Sequence, residues 1–134
     1  MSYQADYRRG RHCVFNLHVH LVFVTKCRRG VLSHEHIRFL AGVFADVCAR
    51  FEAHLVKCDG EDDHVHLLVT YPPKIAVSTL VNSLKGASAR QLRNRYTVRT
   101  HRNHLWSPSY FAASCGGATL DVIREYVENQ RTPQ

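Results

Sequence analysis

Asp62-Asp63-His64-Val65-His66-Leu67-Leu68-Val69 places two imidazoles two residues apart, directly after an acidic turn. On a strand, residues two apart project from the same face, so His64 and His66 point together while Val65, Leu67 and Val69 point into a core. A face carrying two neutral imidazoles is a metal-binding geometry. At the other end of the chain, Tyr126 and Gln130 are four apart in a stretch with helical periodicity and share one face of that helix. Two histidines, one amide and one phenol can therefore converge.

Imidazole nitrogens with an amide oxygen make a mixed site with little negative charge. Such a site leaves positions for the oxygens of a phosphodiester. A divalent ion there polarises the phosphate and stabilises the charge that develops on it. A phenol beside that phosphate is a nucleophile whose product, a phosphotyrosine, conserves the bond for rejoining to another strand. Asp63 or Glu61 can orient His64 or His66 by hydrogen bonding. Asp59 and Glu61 read as members of a solvated turn. Two further His-x-His pairs compete for attention. His34 and His36 begin a helix, where residues two apart do not share a face, and read as surface. His18 and His20 read as packing residues, with His20 in support of the ligand pair.

The elements that position these residues follow from periodicity. Val14 to Thr25 alternates as a first strand, with Phe15, Leu17, Val19, Leu21 and Phe23 on one face. Ser33 caps an amphipathic helix with Ile37, Leu40, Phe44, Val47 and Phe51 inward. His54 to Cys58 and His64 to Tyr71 form a hairpin around the turn Asp59 to Asp63. Pro72-Pro73 ends the hairpin and launches a second helix, with Val77, Leu80, Val81, Leu84 and Leu92 inward. Arg95 to Asn103 is a basic loop. Ser109 to Ser114 is the last strand, Gly116-Gly117 breaks it, and Thr119 caps a final helix running to about Gln130. This order predicts an α+β fold: a ferredoxin-like split βαβ antiparallel sheet with one additional C-terminal helix. In that topology the first and third strands are neighbours, so His18 and His20 border His64 and His66. The apolar face of the sheet is covered by the first two helices, and the histidine face is left for the terminal one.

The chain of 134 residues is expected to be one domain, with a basic leader over 1–12 and a mobile catalytic helix over 118–130. Its 18 Lys and Arg against 11 Asp and Glu give a net charge of +7, which favours a polyanionic partner. Lys85, Arg90, Arg93 and Arg95 are candidate phosphate contacts, and Trp106 is a candidate platform for an unpaired base. The five cysteines have no Cys-x-x-Cys spacing and read as reduced thiols. With no signal-type leader and no apolar run long enough to span a bilayer, a cytoplasmic protein with no membrane partner is expected.

These segments together resemble the single-tyrosine HUH transposases of the insertion sequence 200/605 group. The matching stretches are Val19-His20-Leu21-Val22-Phe23 with Lys26 and Arg28-Arg29, Asp63-His64-Val65-His66-Leu67-Leu68, Leu84 to Arg90, Leu105-Trp106-Ser107-Pro108-Ser109-Tyr110-Phe111, and Ile123 to Gln130. Asp62 stands where such proteins often carry a proline. The resemblance implies that Tyr126 is the nucleophile, that His64, His66 and Gln130 bind Mg2+ or Mn2+, and that single-stranded DNA is cut and rejoined at transposon ends. It also implies a homodimer that recognises subterminal DNA hairpins and can exchange the tyrosine helix between subunits, active in trans. Two rivals follow from the residues. A noncatalytic nucleic-acid-binding module on the same sheet would bind without metal or adduct. A zinc hydrolase or deaminase lacks its Pro-Cys-x-x-Cys signature here.

Overall fold

The computed structural model describes residues 7–100, 104–114 and 120–130. Its main sheet contains β3 (His18–Val24), β4 (His54–Glu61), β5 (His64–Thr70) and β6 (Phe111–Ser114), in the order β4-β5-β3-β6 and antiparallel throughout. Helices α1 (His34–Arg50) and α2 (Val77–Arg95) connect β3 to β4 and β5 to β6. This is the ferredoxin-like arrangement expected from the order of elements, and α3 (Leu120–Glu128) is the additional helix.

The first strand differs from its expected extent. Val14–Phe15 is a separate strand, β2, paired with β1 (Arg8–Arg9) in a two-stranded ribbon, and the main-sheet strand starts only at His18. The ribbon is tied to the end of α1, because Arg8 Nη2 donates to Glu52 O at 2.7 Å while its guanidinium lies 5.2 Å above the Phe15 ring.

Within β3 the apolar pattern changes character. Val19, Leu21 and Phe23 join Val65, Leu67 and Val69 in the core under α1 and α2, together with Leu40, Phe44 and Val47 of α1 and Leu80, Leu84 and Leu92 of α2. Val22 and Val24 point the other way and are also fully buried, against Ile123 and Val127 of α3. A central strand covered on both faces is apolar on both, which explains the continuous run that follows His20.

Ser33 caps α1 as expected, in a reciprocal box: its hydroxyl accepts from His36 N at 3.2 Å, and His36 Nδ1 accepts from Ser33 N at 3.1 Å. His36 thereby has a structural role at the helix start. Helix α2 begins at Val77, later than Pro72-Pro73 suggested, because a turn closed by Ile75 N on Pro72 O intervenes.

The β4–β5 hairpin is tighter than expected. β4 continues to Glu61, so Asp59 lies opposite His66, Glu61 lies opposite His64, and the loop is only Asp62-Asp63. Gly60 makes this possible, since a Cβ there would stand 2.5 Å from the His64 carbonyl oxygen. Asp59 and Glu61 are therefore strand residues flanking the histidines. The final strand is shorter than expected and starts at Phe111. Gly116-Gly117 and the Thr119 cap lie outside the described residues.

Candidate active site

The hairpin register fixes the histidine pair. His64 and His66 share the face of β5 turned toward α3, their rings nearly parallel with centroids 6.4 Å apart. Asp63 Oδ1 stands 2.9 Å from His64 Nδ1, which selects the tautomer with the proton on Nδ1 and leaves the Nε2 lone pair free. Burial holds the His66 imidazole below its ordinary titration range, opposed by Asp59 across the hairpin and assisted by His64, Lys57 and His20. A ring that stays neutral is the form a metal ligand requires. His20 is not directly beside His64 or His66: His20 pairs with Leu68 and His18 with Thr70, while Val22 and Val24 stand opposite His66 and His64. The influence of His20 on His66 is thus electrostatic and diagonal.

Asp63 is itself fixed. Its Oδ2 pairs with Arg28 Nε at 3.5 Å, and Arg28 Nη1 reaches the Glu128 carbonyl of α3 at 3.4 Å. Thr25 N and Leu32 N bond to the carbonyls of Asp63 and Asp62, each at 2.9 Å, which ties the hairpin tip to the segment after β3. That segment turns through left-handed conformations at Cys27 (φ 62°) and Arg28 (φ 54°). Two non-glycine residues in that region cost about 1–2 kcal/mol each, and the strain sits beside the histidines.

Helix α3 roofs a cleft of about 330 Å³ whose walls include Arg28, Asp63 and His64 below and Ile123, Arg124 and Val127 above. Tyr126 lies on another side of the helix. Its ring packs on Phe111 with centroids 5.5 Å apart, and its hydroxyl is 2.8 Å from Ser109 Oγ. Burial raises the phenol above its ordinary titration range. Helix α3 ends at Glu128, short of the expected Gln130, which follows in a turn on the same side as Tyr126, its N–H on the Val127 carbonyl and its Oε1 accepting from Ser109 Oγ at 3.1 Å and Ser107 Oγ at 3.3 Å. Val22 pairs with both His66 and Phe111, so the histidine pair and the tyrosine's ring partner flank one strand, two interstrand spacings or about 9.6 Å apart. The structure thus brings the four residues together as two pairs on the same sheet face, one on each side of β3.

Two expected DNA contacts have other roles. Trp106 is only 6% exposed, its indole N–H donates to Ser88 Oγ at 2.9 Å, and its ring packs 5.8 Å from that of Phe23. A ring face enclosed in this way is core and cannot stack on a base. Lys85 is half-buried, and its ammonium donates to the carbonyls of Ser107, Pro108 and Ser109 at 2.6, 3.3 and 3.1 Å. All three protons are engaged, and burial lowers its titration range. Arg90, Arg93 and Arg95 are exposed on α2. Arg93 borders a groove of about 380 Å³ with Lys26 and His104, and Arg90 borders another of about 360 Å³ with Arg50.

Sequence reasoning gave no role to Ser107, Ser109 or Arg28, although all three lie in stretches that carry the family resemblance, because no periodicity marks their partners. Among the described residues no group of three His, Cys, Asp or Glu side chains forms a metal cluster. The Cys13, Cys27, Cys48 and Cys58 thiols are free, and burial pushes Cys48 up to about 11 and Cys58 to about 12, so neither ionises readily. No described helix is long and apolar enough to cross a membrane.

Comparison with known proteins gives a consistent result. The chain is 32% identical over 128 residues to the ISDra2 transposase TnpA of Deinococcus radiodurans, covering 93% of this chain and 91% of that protein. It is 26% identical over 122 residues to the transposase for insertion sequence element IS200 of Salmonella typhimurium, covering 89% and 80%. A crystal structure from Deinococcus radiodurans R1, of a protein proposed to be a transposase, superposes with a TM-score of 0.84 at 31% identity, over 94% of this chain and 99% of that one. A REP-associated tyrosine transposase bound to a REP hairpin shares the fold, with a TM-score of 0.57 at 13% identity over 92% and 69%. The family described as Transposase IS200 like matches residues 13–130, and with the fold and the paired site residues this shows that the chain belongs to the IS200-like transposase family.

Proposed function

We propose that this transposase cleaves and rejoins single-stranded DNA at insertion-sequence ends, with Tyr126 as nucleophile. The phenol oxygen forms a bond to the scissile phosphorus, the P–O3′ bond breaks, and the phenol's proton is balanced by protonation of the departing 3′ oxygen. The products are a 5′-phosphotyrosine and a free 3′-hydroxyl, and attack by another 3′-hydroxyl reverses the step on a new partner. The observation that carries this reading is the His64–His66 pair, with Asp63 fixing the His64 tautomer, on the same sheet face as the helix that bears Tyr126.

The donor set suits Mg2+ or Mn2+: two imidazoles, with His66 kept neutral and His64 presenting Nε2, and an amide oxygen from Gln130 when α3 brings it across. The ion would polarise the phosphate oxygens. The chain's own groups do the rest. Asp63 and Arg28 hold His64 in orientation, α3 excludes water from the sheet face, and exposed Arg90, Arg93 and Arg95 contact phosphates along α2. The flanking grooves and the net charge of +7 support a folded DNA partner, and a subterminal hairpin is the form proposed here.

In this reading residues 1–134 act as one transposase domain in a homodimer, with the last helix able to serve its own subunit or its partner's. The separation of Tyr126 from the histidines by β3 supports such an exchange, and Gly116-Gly117 is a permissive hinge in the sequence. The substrate, and so the enzyme, is cytoplasmic. The test is incubation with labelled single-stranded DNA and Mg2+. A denaturation-resistant complex, absent in Tyr126→Phe, is expected; metal-independent binding with no adduct would replace this reading with a noncatalytic module. Mixing His64→Ala and Tyr126→Phe subunits restores activity if the helix works in trans.

A further inference from the structure

The Tyr126 hydroxyl and the Gln130 amide are both held by one loop, Ser107-Pro108-Ser109. A serine hydroxyl has one proton, and an amide oxygen only accepts. Ser109 Oγ lies 3.1 Å from Gln130 Oε1 and donates there, so in its 2.8 Å contact with Tyr126 the phenol is the donor. Ser107 supplies the second hydrogen bond to Gln130 Oε1, at 3.3 Å, and both lone pairs of that oxygen are occupied. The loop is fixed from behind by Lys85, whose ammonium holds the carbonyls of all three loop residues and lies within 6.0 Å of the Phe23 and Tyr110 ring centroids.

We propose that this lysine-clamped serine loop is a resting seat for the nucleophile helix, which occupies the phenol's proton and the glutamine's carbonyl oxygen until α3 shifts. The inference rests on the assignment of Tyr126 and Gln130 made above. Bonds made in the seat oppose those needed for reaction. An attacking phenol must release its proton, and Ser109, whose own proton is engaged by Gln130, offers only a hydrogen-bond acceptor. A cation can use Gln130 Oε1 only by displacing a serine. Among the described residues α3 meets the sheet through Ile123 and Val127 against Val22 and Val24, with Tyr126 on Phe111. The same loop leaves Tyr126 on the β6 side of β3, away from the histidines.

Ser109→Ala tests the seat by two measurements on the full chain: amide hydrogen exchange in α3, and the single-turnover rate of covalent adduct formation with single-stranded DNA and Mn2+. Both should rise about 30-fold, the population shift expected on losing two ordinary hydrogen bonds, while exchange in α1 stays unchanged. Half-saturation with Mn2+ should fall, Ser109→Thr should behave as the parent, and Lys85→Met should reproduce the Ser109→Ala result. Unchanged exchange in α3 would overturn the seat. Faster exchange with a slower adduct would show that the loop aligns the nucleophile for attack and overturn the resting role. A parent protein that forms no adduct would instead overturn the functional assignment, and exchange alone would then decide whether the seat exists.

Discussion

The two faces of the sheet are built in different ways. Under α1 and α2, Leu21, Phe23, Val65, Leu67 and Val69 meet Leu40, Phe44, Leu80, Leu84 and Leu92, all fully buried. Under α3, the apolar cluster among the described residues is Val22, Val24, Ile123 and Val127 with Phe111 and Tyr126 packed against it, bordered by His64 and Gln130 with their polar partners. One face is a scaffold whose loss unfolds the domain. In the function proposed above the other opens while that scaffold holds, because among the described residues its apolar cluster is the smaller of the two. That proposed function needs this division: the His64–His66 pair must stay fixed while Tyr126 carries a DNA strand from one position to another.

Phe44→Ala, in the scaffold, should produce the largest change: a loss of about 3–5 kcal/mol in unfolding free energy, read by chemical denaturation. A loss of less than about 1 kcal/mol would show that the two faces are not unequal in the way described. Asp63→Asn should act on the other face by weakening Mn2+ binding about 10- to 100-fold, measured by titration calorimetry, because His64 loses the carboxylate that fixes its tautomer. Unfolding free energy should change much less. Val127→Ala removes two carbons from the smaller cluster, worth about 1.6 kcal/mol at most. Its signature should be accelerated hydrogen exchange confined to α3, and exchange spreading into α1 would join the two faces into one cooperative unit.

The smallest effect concerns protonation of His66. Burial lowers its folded pKa, so the ring in the unfolded chain takes up a proton first as pH falls. The stability linked to His66 is therefore present above the ordinary 6.5 and is lost as pH drops through the lower, folded value. An NMR titration of the metal-free protein should give a His66 midpoint below 6.5, and a midpoint above it would mean that Asp59 outweighs burial.

Much of this was legible in the residues. The alternation of Val65, Leu67 and Val69 against His64 and His66 specified both the core face and the face the two imidazoles share, because strand periodicity depends only on local geometry. Ser33 marked the start of α1 for the same local reason. The hairpin length was not legible: five acidic or small residues look like a loop, but Gly60 lets β4 approach β5 closely enough to pair through Glu61. Lys85 and Trp106 misled because composition assigns basic and aromatic residues to DNA, whereas their partners, three loop carbonyls and the buried Ser88 hydroxyl, come from distant segments.

By itself, the sequence determined the element order, the ferredoxin-like topology, the pairing of His64 with His66 and the pairing of Tyr126 with Gln130, all of which follow from spacings of two and four residues. The tertiary structure decided how those two pairs stand relative to each other. That depends on strand register, which sets Val22 between His66 and Phe111, and on a lysine-held loop that engages the terminal helix. Register and long-range hydrogen bonds are properties of segments meeting in space, and no local period encodes them.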